Sequence, residues 1–466
     1  MRHGDAYFDI VWRQFRKNYF ALAALWLLVP IVLAAIFAPL IASDRPLVFQ
    51  EWEPQEAAPA TAAAEAGAEA AAGIEEQGSA PDEAPPAGGP EADADGNGRA
   101  AAGDGEWVVR YPWLPALFSP PETVDLIFNM ALLAFFPVLI AGAVFNHLAR
   151  KRGMSGWRRL AIVLTAYVVV STVLSVVFYF EATRPDDPYR GRSFAEEEFL
   201  SPETKIGWYT PIPFGPTQPD PGAFFESPGF RKLRHEWSRV SDFFPRLLGT
   251  DNLGRDVLVR ILYGTRIAIT IGFVAVGLYV TIGVVMGAVA GYFGGRVDMF
   301  LSRVFEVVLL FPSFFLILTL VGLLGPSIYI IMVVIGVTGW PTIARLIRGE
   351  FLKQRSLDYV AAARALGASD GRIIFRHILP NALTPALVAT PFGIAGAIIT
   401  EAGLSLLGFG VRPPAPSWGA ILQLGSQNYT YWWLVVFPAV AIFFTVTLFN
   451  LIGSGLRDAM DPRLRR

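Results

Sequence analysis

Residues able to do chemistry are sparse in this sequence, and their spacing excludes several common kinds. Cysteine is absent, so neither a disulfide framework nor a thiolate metal or redox centre can form. The four histidines, His3, His147, His235 and His377, stand far apart without metal-ligand spacing, so no metal site is expected. No Gly-x-x-x-x-Gly-Lys-Ser/Thr loop is present to cradle ATP phosphates. No relay of paired carboxylates and histidine is evident, which disfavours an ion-coupled secondary transporter. The informative segment is basic and runs Ser356-Leu-Asp-Tyr-Val-Ala-Ala-Ala-Arg-Ala-Leu-Gly-Ala-Ser-Asp-Gly-Arg-Ile-Ile-Phe-Arg-His-Ile-Leu-Pro380. It predicts two short helices: Ser356 or Asp358 caps the first, and Gly367 ends it in the left-handed conformation. Ser369 or Asp370 caps the second, which Pro380 limits. Ala361, Ala362 and Ala363 are small enough for close approach, with Arg364 and Arg372 beside them. That pattern suits mechanical docking into a cleft of a soluble partner, or else an ordinary basic loop.

The elements that must carry this segment are membrane spans. The chain has 466 residues, 53% of them hydrophobic and only 17% charged, with mean hydropathy +0.44. A soluble domain carries about 25% charged residues. A net charge of −2 provides no basic field for nucleic acid. Spanning a bilayer takes about 20 apolar residues. Eight runs qualify: Phe20–Ile41, Val124–Leu148, Leu160–Phe180, Ile267–Gly291, Phe305–Leu324, Ile328–Ile347, Ala382–Leu404 and Trp432–Leu451. The sixth is the weakest, being interrupted at Gly339-Trp340-Pro341. The first run exceeds a signal-peptide core and follows an amphipathic segment with Phe8, Val11, Trp12, Phe15 and Tyr19 near one face, so it reads as an anchor.

Lysine and arginine fix the expected orientation. Arg13, Arg16 and Lys17 precede the first span, and Arg150, Lys151, Arg152, Arg158 and Arg159 join the second to the third. Arg345 to Arg376 fill the loop after the sixth, and Arg457, Arg463, Arg465 and Arg466 the tail. All of these fall inside if both termini are cytoplasmic. Two long segments then lie outside. In the first, residues 46–109 hold fourteen acidic residues against one basic one, Arg99, and the stretch from about Glu53 to Gly105 is expected to be disordered. The second, Glu181–Phe244, is expected to pack as a small lobe. Within the spans, Gly283, Gly287 and Gly291 share one helix face and predict a packing seam. Glu306 sits at the inner end of the fifth span, beside Arg303. Glu401, near the outer end of the seventh, either lines a translocation path or caps a turn at Gly403–Gly410.

The 356–380 segment resembles the coupling-helix signature of bacterial ABC-importer permeases: Glu-Ala-Ala, a Gly four residues later, then Leu-Pro. Ala361-Ala362-Ala363, Gly367 and Leu379-Pro380 keep that register, with Ala361 where the family has Glu. Leu248–Asp256, Arg260–Gly264, Gly291–Gly295, Leu404–Gly410 and Pro416–Gly419 resemble signatures of the dipeptide/oligopeptide permease family over about Phe243–Asp461. Asp44–Leu47 and Trp208–Gly215 are similar to its Yej-type (oligopeptide and microcin C) subunit.

The resemblance implies an all-α integral membrane protein of the bacterial inner membrane. A six-span ABC type I importer core would carry two inserted spans, giving eight transmembrane helices with both termini cytoplasmic. The implied organisation is residues 1–42 (amphipathic segment and first span), 43–123 (acidic outer segment), 124–180 (inserted hairpin), 181–260 (outer lobe) and 261–466 (core, with coupling loop 345–380). The implied coupling residues are Tyr359, Ala361, Ala362, Ala363, Arg364, Gly367, Leu379 and Pro380. The implied partners are ATP-binding subunits, a second related permease subunit and an extracytoplasmic peptide-binding protein. The chain itself would be no enzyme and hold no cofactor. Related permeases that carry metal chelates or oligosaccharides offer an alternative cargo, and a membrane-anchored scaffold using the acidic segment is a further class.

Overall fold

The computed structural model describes residues 11–54, 105–118, 123–151, 154, 156–180, 194, 205–231 and 243–461. Outside that set lie Phe8, His3, His235, Arg99, Arg463, Arg465, Arg466 and the acidic stretch 55–104. The described chain is mostly helical. Seven helices are long and apolar enough to cross a membrane, or eight if one bent pair counts as a span. In chain order the elements begin with α1 (Tyr19–Ile36), α2 (Ala38–Ile41), β1 (Val48–Pro54), β2 (Gly105–Arg110), α3 (Trp113–Phe118), α4 (Thr123–Lys151), α5 (Gly156–Phe180) and β3 (Lys205–Trp208). There follow α6 (Val257–Phe293), α7 (Gly295–Leu310), α8 (Ser313–Leu324), α9 (Ile328–Gln354) and α10 (Asp358–Ala365). Next come α11 (Asp370–Arg372), a π-helical turn (Ile373–Ile378), α12 (Leu379–Ala382), α13 (Thr384–Leu406), α14 (Trp418–Gln427) and α15 (Trp433–Met460).

The fifth and sixth apolar runs each contain a proline and are helical, but they differ in shape. The fifth apolar run is not one straight helix, because α7 and α8 meet at an 80° bend. Pro312 lacks an N–H and pushes Phe311 into extended backbone (φ −79°, ψ 130°), which stops α7 there. The sixth run, by contrast, passes through Gly339-Trp340-Pro341 as one helix of 27 residues. The all-α expectation also fails in the segments around α3, where a three-stranded antiparallel sheet forms in the order β2-β1-β3. Its register sets Trp52 opposite Trp107 and Val48 opposite Trp208. Arg110 and Lys205 pair with Glu51 on the other face, where Arg110 also reaches Glu53. Pro54 and Gly105, the described residues on either side of the acidic stretch, are partners in that register.

The glycine seam joins α6 to α9. A Cβ at Gly283 would lie 2.7 Å from Ile343 Cβ, one at Gly287 2.5 Å from the Ala344 carbonyl oxygen, and one at Gly291 2.5 Å from Phe351 Cβ. One face of α6 therefore lies directly on the backbone of α9, where small side chains replace the missing hydrophobic drive between helices in lipid. The amphipathic start of the chain is also packed. Val11 and Phe15 are buried with Ala21, Ala459 and Met460 against the end of α15.

Candidate translocation and coupling site

A cavity of about 660 Å³ opens between α6, α8, α9, α13 and α15. Its walls are mainly apolar. Tyr279, Ser313, Thr338, Thr342 and Thr400 supply hydroxyls, and among the described residues Arg457 is the one charged lining residue. Two of those hydroxyls are spent on their own helices: Thr338 donates to the Val334 carbonyl at 2.8 Å and Thr400 to Gly396 at 2.8 Å. The Arg457 guanidinium lies 5.1 Å from the centre of the Phe392 ring. These residues escaped the sequence reading. Their available signal was small polar residues four apart within apolar runs, Thr338 with Thr342 and Gly396 with Thr400.

The segment after α9 forms a short helical knob. Val360 is buried with Ile373 and Ile378, and Ala363 and Leu379 pack beside them. Tyr359, Ala361, Ala362, Arg364, Gly367 and Pro380 are exposed, and Leu366 is 88% exposed at the tip. The helix ends as expected, with Gly367 at φ +79°, its N–H donating to Arg364 and that of Ala368 donating to Ala363. Its start differs. Leu357 occupies the cap position without a side-chain bond, while Ser356 Oγ donates to the Lys353 carbonyl. Nor does Ser369 cap α11 through its side chain. Pro380 does not end the second helix either. The chain widens into the π-helical turn just before it and then continues through α12 towards α13. A wider turn accommodates a proline ring that would otherwise strike a carbonyl one turn earlier.

The ends of α6 and α9 nearest the knob are tied together beside it. Arg355 Nη1 donates to the carbonyls of Gly291 (3.2 Å) and Tyr292 (3.1 Å), capping α6. Gly294 stands at φ +67°, and a Cβ there would lie 2.5 Å from that same nitrogen. Arg348 grips Asp298 with Nε and Nη2, the latter at 2.8 Å. Tyr292 Oη donates to Asp370 Oδ1. Glu306 remains at the surface with Arg303 at 2.6 Å.

At the end of α6 remote from the knob, the Leu248–Asp256 segment is a polar turn with Thr250, Asp251, Arg255 and Asp256 buried. Asp251 accepts from the backbone N–H groups of Leu253 and Arg255 and from Arg255 Nε at 2.8 Å. Gly254 (φ +73°) lies so close to Asp220 that a Cβ would fall 2.0 Å from its carbonyl oxygen. Asp220 in turn pairs with Arg246 at 3.0 Å. Asp256 caps α6 by accepting from Val259 N at 2.9 Å. Burial pushes its pKa up to about 6, against the lowering effect of that bond and of Arg246. Trp418 Nε1 donates to the Ile261 carbonyl, and its ring leaves no room for a Cβ at Gly264. Two separate sequence signatures are thus one contact.

Of the two expectations for Glu401, the geometry matches the turn. The residue is 1% exposed and stands off the cavity lining. Its Oε1 accepts from Ser405 Oγ and Ser417 Oγ, both at 2.7 Å, and so holds the loop that leads to α14.

A family described as binding-protein-dependent transport system inner membrane component matches residues 283–466. A second, the N-terminal TM domain of oligopeptide transport permease C, matches residues 6–59. The dipeptide transport system permease protein DppC of Alkalihalophilus pseudofirmus is 41% identical over 218 residues, 47% of this chain and 72% of its own length. The oligopeptide transport system permease protein OppC of Bacillus subtilis is 42% identical over 219 residues, 47% and 72% of the two chains. The glutathione transport system permease protein GsiD of Pectobacterium atrosepticum is 42% identical, with 47% and 73% covered.

Proposed function

We infer that this chain, which belongs to the family of binding-protein-dependent inner-membrane transport components, passes peptides across the bilayer for an ATP-driven importer. As a permease subunit of the inner membrane it is not itself catalytic, and ATP hydrolysis lies on partner subunits. A substrate-binding protein delivers cargo from the outer side. Peptide cargo is supported by the names of the relatives, which transport dipeptides, oligopeptides and glutathione. Among the described residues the cavity's hydroxyl-lined apolar wall holds no carboxylate or histidine to carry a proton or bind a cation, which fits ATP-driven rather than ion-coupled passage.

The observation that carries the mechanism is the knob's attachment. α9 lines the cavity and runs directly into α10, while α13 lines it from the other side and is reached through α11 and α12. A force on the exposed Tyr359–Gly367 helix therefore acts on two cavity walls at once. In the proposed cycle, ATP closes the partner ATPase dimer, the knob follows, and α9 and α13 turn the cavity outward. Ala361, Ala362, Ala363, Arg364, Gly367, Leu379 and Pro380 form or hold the docking face. The α6–α9 seam moves as one body.

The bent α7–α8 pair counts as one span in this reading, giving eight spans with both termini cytoplasmic. Residues 261–466 form the core, and 124–180 form a hairpin inserted between the two family-matched stretches. A second related permease completes the path. The test is a Gly367→Val variant in proteoliposomes with its ATPase partners. Left-handed backbone costs a non-glycine residue about 1–2 kcal/mol, and no neighbour lies within 4 Å to be struck. Assembly should survive while ATPase activity separates from transport. Unchanged coupling would count against the assignment.

A further inference from the structure

The inserted hairpin leaves a second cavity. It is about 440 Å³ in volume and lies between α1, α4 and α5. Its lining is apolar throughout: Leu25 to Ile36 of α1, Phe135 to Leu139 of α4 and Leu160 to Tyr167 of α5. The one hydroxyl among the described lining residues is already spent, since Tyr167 Oη donates to the Ala131 carbonyl at 2.9 Å. The hairpin is fastened at its outer end. Arg266, fully buried in α6, donates to Asp125 Oδ1 at 2.8 Å, Asn129 Oδ1 at 3.2 Å and the Ala35 carbonyl at 2.7 Å. Phe37 then sets its ring edge-on to Phe135 at 5.1 Å, closing that end. From there the hairpin and α1 enclose a wedge rather than a contact. Val29, Leu33, Leu139, Leu160 and Leu164 remain exposed along it.

All three walls belong to helices long and apolar enough to cross a bilayer, so the space would open onto hydrocarbon, where a lipid tail is the available apolar filler. The inner end of the hairpin offers a matching polar group. Arg159, next to Leu160 of the cavity, donates to Asn146 Oδ1 at 2.8 Å, while its Nε is buried without a hydrogen-bond partner among the described residues. Arginine is well shaped for a phosphate.

We propose that this wedge is a phospholipid site, with one acyl chain of an inner-leaflet phospholipid between α1 and the α4–α5 hairpin and its phosphate at Arg159. The inserted spans then join the core through a bound lipid as well as through Arg266.

The test uses the assembled complex and no transport assay, so its outcome is independent of cargo. Native mass spectrometry of complex extracted in mild detergent should show one retained phospholipid per copy of this chain. The double substitution Val29→Trp/Leu164→Trp should abolish retention, Arg159→Gln should lower it severalfold, and Val173→Trp, exposed on α5 but off the lining, should leave it unchanged. In nanodiscs, a phospholipid with a photoreactive tail should label peptides from 25–36 and 160–167 of the unmodified chain above the exposed 168–177 face of α5. Equal retention in all variants, or even labelling of all lipid-facing helices, would overturn the proposal.

Discussion

Substituting Gly287 by alanine adds one methyl group where the α6–α9 seam is packed backbone to backbone. The new Cβ would sit 2.5 Å from the Ala344 carbonyl oxygen, 2.9 Å from Ile347 Cβ and 3.1 Å from Ala344 Cα. Two of those three atoms are backbone, so no rotamer change relieves the clash and the helices must separate. Overpacking of this kind costs about 1–3 kcal/mol. Gly277 lies on the same helix with nothing within 4 Å of its Cβ position. Gly277→Ala removes only a helix-weakening glycine, worth about 0.5–1 kcal/mol in the opposite direction. The two variants make the same chemical change, so their difference isolates the seam. The measurement is thermal stability of the purified complex by fluorescence-detected size exclusion. Gly287→Ala should melt lower by roughly 2–10 °C, at a few degrees per kcal/mol. Gly277→Ala should match or slightly exceed the unmodified chain. Equal melting of both variants would refute the close-packed seam.

Arg266→Met should leave the Asp125 carboxylate without its cation, a loss of about 3–5 kcal/mol for a broken buried pair. The chain has no cysteine, so a Phe37→Cys/Phe135→Cys pair reports hairpin docking directly; its crosslinking should fall in Arg266→Met and recover when Asp125→Leu is added. Glu401→Ala should cost about 1–3 kcal/mol by stranding the Ser405 and Ser417 hydroxyls. Glu401→Gln, which keeps the acceptor, should retain transport, and a lost peptide selectivity in Glu401→Gln would return this residue to the path. Asp256 gives a pH signature. Its folded pKa is raised from 3.8 to about 6, so its contribution to stability is present below pH 4 and is lost as pH rises through 6. Asp256→Asn keeps a cap, so it should be more stable than the unmodified chain at pH 7.5, with that advantage vanishing towards pH 4, as read by melting across pH.

The parts legible in sequence were those with local periodicity or fixed spacing. Glycines four apart announced the α6–α9 seam, and a glycine after an alanine-rich run announced the left-handed stop at Gly367. The outer signatures were visible as motifs, but their mutual contact was not. Nothing local says that Trp418 closes over Gly264, 154 positions earlier in the numbering. The sheet was hidden because its strands flank a long acidic segment, and β1 pairs with β3 across more than 150 residues. Apolar run length also cannot register a bend, so nothing in Phe305–Leu324 announced the 80° turn at Pro312. The cavity was missed for a related reason: its hydroxyls come from several helices, and each alone looks like an ordinary threonine in an apolar run.

The central claim is that this chain couples ATP hydrolysis on partner subunits to peptide passage, and reconstitution tests it most directly. The complex, purified with its co-expressed subunits, is placed in proteoliposomes and its ATPase rate is measured with and without peptide-loaded receptor. Stimulation by the loaded receptor, together with peptide accumulation in the lumen corresponding to the cytoplasm, is the predicted result. Failure of any ATP-binding subunit to co-purify, or ATPase activity indifferent to loaded receptor, would contradict it.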